Sequence, residues 1–164
     1  MIKVAILTVS DSCSQRKRED VSGQTIKNML DADEFEICEY KVVADEREDI
    51  KKELIYFADE VKVDIVLTTG GTGLGPRDVT PEATAEVCEK MVPGLTEAMR
   101  SEGLKKTKNA MLSRGAAGVR KNTLIINLPG SPSAVRDSIE YLKDVIPHAI
   151  DVIRGHAREN HQSA

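Results

Sequence analysis

Apolar runs of strand length that alternate with amphipathic helical segments predict an α/β fold: three layers, α/β/α, around a doubly wound, mostly parallel sheet. Three observations carry the prediction. Short runs rich in Val, Ile and Leu recur along the chain, helix-period segments separate them, and a glycine-rich turn joins one such run to a strongly marked helix start.

Ile2–Val9 reads as the first strand, Gly23–Leu30 as a helix, and Phe35–Val43 as a second strand. Arg47–Val61 reads as a helix whose apolar face comprises Ile50, Leu54, Ile55, Phe57, Ala58 and Val61. Asp64–Thr69 is a short β-branched strand. Thr80–Met91 follows as a helix with Thr80 as N-cap, Pro81 at the first helical position and Glu82 in the first turn. Val92-Pro-Gly ends it, and Leu95–Gly103 starts another. In Asn109–Lys121 the glycines at Gly115 and Gly118 weaken a helical reading, so a short strand is placed at Met111–Arg114. Thr123–Leu128 is a strand and Pro129–Pro132 a tight turn. Ser133–Ile153 reads as one long helix with Ala134, Ile139, Leu142, Val145, Ile146, Ile150 and Ile153 apolar. From Gly155 the chain is polar and expected to be a mobile tail. No repeat or linker interrupts the pattern, so residues 1–164 are expected to form a single domain.

Composition narrows the function classes. With 40% apolar and 30% charged residues the chain is ordinary globular material, and its net charge of −4 offers no broad attraction to nucleic acid or to an acidic membrane. Cys13, Cys38 and Cys88 are an odd number without Cys-x-x-Cys spacing, which points to a reducing compartment, the cytoplasm, and against a zinc cluster. Met1–Val9 is too short to span a bilayer and lacks a small-residue cleavage site.

The segment from Thr68 to Ala83 carries the most chemistry. Gly70, Gly71, Gly73 and Gly75 allow backbone N–H groups to approach an anion closely and to converge on it. It is neither of the familiar phosphate loops. The triphosphatase loop requires Gly-Lys-Ser/Thr, yet no lysine occurs in residues 63–89, and the dinucleotide fingerprint requires glycine where Pro76 stands. Arg77 then offers a fixed cation and Asp78 a hard oxygen ligand suited to Mg²⁺, the pattern of a metal-nucleotide site.

Polar clusters follow each of the predicted parallel strands: Ser10-Asp11-Ser12, Asp45, the glycine loop with Asp78, and Pro129-Gly130-Ser131. Any one of them is ordinary turn chemistry. Together they fall at the carboxyl edge of an open sheet, where ligands bind in such folds.

Thr-Gly-Gly-Thr-Gly at 69–73, Arg-Asp-x-Thr-Pro-Glu-Ala at 77–83, Asp20-x-Ser-Gly-Gln24, Leu112-Ser-Arg114 and Leu-Pro-Gly-Ser-Pro at 128–132 resemble, in order, the motifs of the molybdopterin-binding domain of the MoaB/Mog type. The resemblance spans about residues 1–153. It implies molybdopterin adenylyltransferase activity in molybdenum cofactor biosynthesis, with ATP and Mg²⁺ converting molybdopterin into its adenylate and releasing pyrophosphate. It also implies a trimer or hexamer and a downstream molybdate-inserting enzyme as partner. Residue by residue, Asp45 and Asp78 match the catalytic acids, with Mg²⁺ on Asp78 and with Asp45 as a second ligand or as the group orienting the acceptor. Thr69, Gly70, Gly71, Thr72 and Gly73, together with Pro129, Gly130 and Ser131, match the nucleotide-contacting segments, with Arg77 beside them. Ser10, Asp11, Ser113 and Arg114 match the surrounding wall. The chain departs from the family in its shortness around 103–122, on the pterin side.

Two other readings use the same residues: a non-catalytic pterin-binding carrier, and a hydrolase of nucleotide pyrophosphates. The retained Arg77-Asp78 pair and Asp45 favour the transferase over the carrier, and no Glu-rich hydrolytic signature supports the hydrolase. Cys38 and Cys88 are expected to be packed and Cys13 to be a bystander. His148, His156 and His161 form no ligand constellation, Gln15–Asp20 is a solvated loop or lid, and Lys105-Lys106-x-Lys108 is an exposed charged turn. The apolar pattern at Val92–Met99 is the candidate self-association surface.

Overall fold

The computed structural model describes residues 1–156. Most of the segment expected as a mobile tail, His161 included, lies outside the described residues.

Strand β1 (Ile2–Val9) leads through a four-residue helix α1 (Asp11–Ser14) and helix α2 (Val21–Met29) to β2 (Phe35–Val43). Helix α3 (Arg47–Ile55) continues as a π-helical turn at Tyr56–Val61 before β3 (Ile65–Thr69). Then come α4 (Thr80–Val87), β4 (Lys90–Met91), α5 (Pro93–Leu104), a 3₁₀ turn at Lys108–Leu112, β5 (Ala117–Arg120), β6 (Thr123–Leu128), α6 (Pro132–Leu142) and α7 (Ile146–Ile153). The six strands form one sheet in the order β2-β1-β3-β6-β5-β4, in which the first four are parallel and β5 and β4 antiparallel.

Strand residues alternate between two cores because successive side chains point to opposite faces. Val4, Ile6, Ile65, Leu67, Leu124 and Ile126 pack with Ile26 of α2, Val135 and Ile139 of α6, and Ile146 and Ile150 of α7. Ala5, Leu7, Val66 and Ile125 pack with Ile50 and Leu54 of α3, Phe57, and Ala83 and Val87 of α4. Both faces are covered, so the central strands read as continuous apolar runs, as expected for a parallel sheet. Phe57 is fully buried, and truncating such a side chain to alanine costs about 3–5 kcal/mol. The chain passes from β1 outward to β2 and then returns to place β3 on the other side of β1. That reversal opens a crevice beyond the carboxyl ends of β1 and β3.

Several expected boundaries shift for tertiary reasons. Helix α2 begins at Val21, not Gly23, because the Asp20 side chain caps it by accepting from Gly23 N. Thr80 is the first helical residue and not the N-cap; its hydroxyl donates instead to the Gly70 carbonyl. The helix expected to reach Met91 stops at Val87, since Glu89 N and Val92 N donate to Val119 O and Ala117 O and draw Lys90–Met91 into the sheet. The strand expected at Met111–Arg114 is displaced to Ala117–Arg120, and Lys108–Leu112 is the 3₁₀ turn. Gly118 sits where a Cβ would crowd Cys88 Sγ at 2.7 Å, so this glycine serves close strand packing. The single long helix expected at Ser133–Ile153 is two helices. Pro147 has no N–H to continue the ladder across Lys143–Val145, and it enters α7 in its first turn. Val92, Leu95 and Met99, in the expected self-association surface, are half-buried and pack in part against the first core.

Candidate active site

The loops beyond β1, β2, β3 and β6 meet at the crevice and enclose a cavity of about 670 Å³. Of the predicted residues, Ser10, Asp45, Thr69, Gly70, Gly71, Asp78, Gly130 and Ser131 line it, and Thr8, Cys13, Arg18, Glu19, Asp20 and Ser22 share the wall.

Glycine is required at two points of the loop after β3. Gly70 has φ +95° and a Cβ there would collide with the Val9 carbonyl oxygen; Gly71 has φ +69° and a Cβ would strike Thr80 Oγ1 and approach Asp45 Oδ1 at 3.2 Å. The loop therefore lies directly against the first strand and against Asp45. Thr69 Oγ1 donates to Pro129 O at 2.6 Å and Ser22 Oγ donates to Gly130 O at 2.6 Å, which anchors the turn after β6.

The two predicted catalytic acids are held by backbone donors. Asp45 Oδ2 accepts from Asp11 N at 2.9 Å, and Asp78 Oδ2 accepts from Gly75 N at 2.9 Å. Burial pushes the Asp45 carboxyl above its usual range; the Asp11 N–H opposes this, and the charges of Asp11 and Asp78 add to it. Asp78 is thus near enough to Asp45 for like-charge repulsion, the arrangement in which a divalent cation shared between two carboxylates gains most. Among the described residues no group of three or more His, Cys, Asp or Glu side chains could hold a metal ion. A Mg²⁺ here would have to take phosphate oxygens and water alongside the two acids, the usual mode for magnesium on a nucleotide.

Arg77 does not stand free as a phosphate cation. It donates through Nε and Nη2 to both oxygens of Asp11, at 3.1 and 3.0 Å, and pairs with Glu46 at 2.8 Å. Its guanidinium holds the Asp11 carboxyl below the usual range. Arg114 is likewise committed: Nε donates to Gly73 O at 2.8 Å, Nη2 to Asp78 O at 2.9 Å, and Nη1 pairs with Glu82. Its backbone N–H donates to Thr72 O at 2.8 Å, so Thr72 and Gly73 are positioned by Arg114 and do not line the cavity.

Ser113 and Pro129 line a second cavity of about 320 Å³, and Ser131 borders both. Its walls include Met99, Ala110, Ala134 and Tyr141, with Asn127, Ser138 and Arg100 as polar points. Arg100 Nη1 donates to Ser113 O and Gly115 O at 3.3 and 3.2 Å. Asn127 is buried, and its Nδ2 donates to Thr68 and Thr84.

The sequence carries no local signal for a role of Thr8 or Tyr40. Thr8 Oγ1 donates to Asp20 Oδ2 at 2.6 Å and the Tyr40 hydroxyl donates to the same oxygen. Burial and the Asp20 carboxylate push the Tyr40 phenol up to about 12, so it remains a donor at all working pH. Asp20 lay in a quoted motif, but its partners come from two other strands and carry no local signal. Cys13 lines the main cavity, whereas burial pushes the Cys88 thiol up to about 11. Lys105 and Lys106 are paired with Glu102 and Asp137.

The sequence matches the family described as "Probable molybdopterin binding domain" over residues 5–148. The chain is 46% identical to the molybdopterin adenylyltransferase of Helicobacter pylori strain J99, an alignment covering 94% of this chain and 89% of that one. Its fold superposes on the molybdopterin biosynthesis enzyme MoaB of Thermus thermophilus with a TM-score of 0.89 and 50% identity, covering 94% and 98% of the two chains. It also matches the tungsten cofactor synthesizing protein MoaB of Pyrococcus furiosus with a TM-score of 0.86 and 30% identity, over 94% and 98%. With glycine loop, paired acids and sheet topology in place over this extent, the chain belongs to the molybdopterin-binding domain family of molybdenum cofactor biosynthesis.

Proposed function

We propose that this protein is a molybdopterin adenylyltransferase that joins AMP from ATP to the terminal phosphate of molybdopterin. The observation that carries the reading is the pair of adjoining cavities. The larger is lined by Gly70 and Gly71 of the glycine loop with Asp45 and Asp78; the smaller has apolar walls with a few hydrogen-bonding groups, suited to a flat heteroaromatic ring; Ser131 stands between them.

In the reaction an oxygen of the molybdopterin phosphate attacks the α-phosphorus of ATP. The new P–O bond forms as the bond to the β-phosphate oxygen breaks, and pyrophosphate leaves with that electron pair. A phosphomonoester has a second pKa near ~6, so the nucleophile is already largely dianionic at neutral pH and needs no general base. Charge control is the main task, since two phosphates brought together repel by several kcal/mol at an effective dielectric of about 20. Magnesium, held by Asp45 and Asp78, would supply that neutralisation. The glycine loop presents backbone donors to the phosphoryl oxygens, and Arg77 and Arg114 fix the loop from its two sides. The turn at Pro129–Ser131 aligns the acceptor between the cavities.

The same residues would serve a carrier only as binding groups. The transferase is tested by incubating the purified protein with ATP, Mg²⁺ and molybdopterin. Adenylated pterin and stoichiometric pyrophosphate are expected, whereas pterin binding without either product would establish the carrier. Family resemblance further favours a homotrimer or hexamer working in the cytoplasm and passing its product to a molybdate-inserting enzyme. Light scattering that finds only an 18.0 kDa species at micromolar concentration would refute the assembly.

A further inference from the structure

The larger cavity presents an electrostatic problem that the two arginines of the quoted motifs do not solve. Its lining carries Glu19, Asp20, Asp45 and Asp78 against one cation, Arg18, among the described residues. Arg77 is held by Asp11 and Glu46, and Arg114 by Glu82 and two backbone carbonyls. No lysine among the described residues lines the cavity. Arg18, by contrast, makes no ion pair or hydrogen bond among the described residues, and its side chain is exposed at the cavity wall.

The segment that carries Arg18 is anchored at both ends. Arg16 takes a left-handed φ of 58° and turns the chain back, so that Lys17 N donates to Ser12 O at 2.9 Å. Two residues beyond Arg18, Asp20 is fixed by Thr8, Tyr40 and Gly23 N. The arginine therefore projects from a short, tethered strap and needs no large movement to reach a ligand in the cavity. A free guanidinium beside carboxylates that already suit a divalent cation complements a metal-bound polyphosphate, which keeps excess negative charge after the metal is shared.

We infer that Arg18 is a specificity-determining residue that binds the phosphates of the nucleotide, the role that Arg77 cannot fill while paired with Asp11 and Glu46. This rests on the reading that the larger cavity takes the Mg²⁺ nucleotide. It assigns the Gln15–Asp20 strap to substrate recognition, not to solvation.

The test compares the wild-type chain with Arg18→Gln and Arg18→Lys by calorimetry, using ATP with Mg²⁺ and, separately, adenosine. Because Arg18 is exposed and has no partner among the described residues, both variants should melt with the wild type. Arg18→Gln is expected to weaken Mg·ATP about tenfold or more near ~0.01 M salt, with a smaller loss near ~0.15 M. Adenosine affinity should not change, and Arg18→Lys should recover most of the loss. Unchanged Mg·ATP affinity in Arg18→Gln overturns the inference and leaves the proposed function standing. An equal loss for adenosine also overturns it, because the side chain would then pack on the nucleoside. Failure of the wild type to bind Mg·ATP removes the function and this inference together.

Discussion

Asp11 and Asp45 form a reciprocal clasp: Asp11 N donates to Asp45 Oδ2 at 2.9 Å, while Asp45 N donates to Asp11 Oδ1 at 3.0 Å. Two loops 34 residues apart are thereby locked at the edge of the cavity. Arg77 adds the glycine loop to the clasp through Asp11. The site is thus held in shape by the same carboxylates that give it its charge.

Asp45 should trade stability for function. Its folded-state pKa is raised, mainly by burial, so folding favours the protonated form. The resulting stability is fully present below the ordinary carboxyl pKa and is lost as pH rises through the raised value. Asp45→Asn keeps an oxygen for Asp11 N and removes the charge. At pH 7 it should melt higher than wild type, and the difference should vanish below the ordinary carboxyl pKa. Thermal unfolding across that range checks the sign; adenylyl transfer should fall at the same time.

Asp78→Asn retains an acceptor for Gly75 N, so the loop should keep its form. Loss of one electrostatic contact to the transition state costs about 10²-fold or more in turnover. Molybdopterin affinity should survive, because the second cavity does not include Asp78. Single-turnover assays over a Mg²⁺ titration, paired with pterin binding, separate the two effects; wild-type turnover would return Asp78 to the status of a loop acid.

Arg114 and Glu82 should show strong coupling. Arg114→Met removes donors to Gly73 O and Asp78 O and leaves Glu82 unpaired, with its buried Oε2 already lacking a partner. A loss of about 1–3 kcal/mol in stability is expected, with weaker nucleotide binding. Adding Glu82→Gln should recover part of the stability but not the affinity, because the glycine loop remains unclamped. A double-mutant cycle by chemical denaturation measures the interaction.

Gly70→Ala should be far more damaging than Ala at Gly94, where a Cβ meets nothing within 4 Å. At Gly70 the obstacle is the Val9 backbone and the φ is +95°, so neither rotamer change nor side-chain movement relieves it. A cost of about 2–3 kcal/mol and loss of Mg·ATP binding are expected, read by denaturant titration and calorimetry. Equal stability of the two variants would contradict the close approach of this loop to β1.

The alternation of strands and helices, the runs of β1, β2 and β6, and the glycine loop were legible in the sequence because each follows from short-range rules: period, propensity and turn chemistry. The family resemblance drew on the same local motifs. What the sequence could not show depends on pairing across distance. Lys90–Met91 is strand and not helix because β5 offers it a ladder, and Arg77 and Arg114 are structural braces because Asp11, Glu46 and Glu82 meet them from distant segments, at the starts of α1, α3 and α4. Sequence by itself determined which residue types gather at the carboxyl edge of the sheet. Only the tertiary structure decided which charges there are neutralised by a neighbour and which, like that of Arg18, have no partner among the described residues at the cavity wall, since a charge is satisfied by whatever lies within a few ångströms and not by its position along the chain.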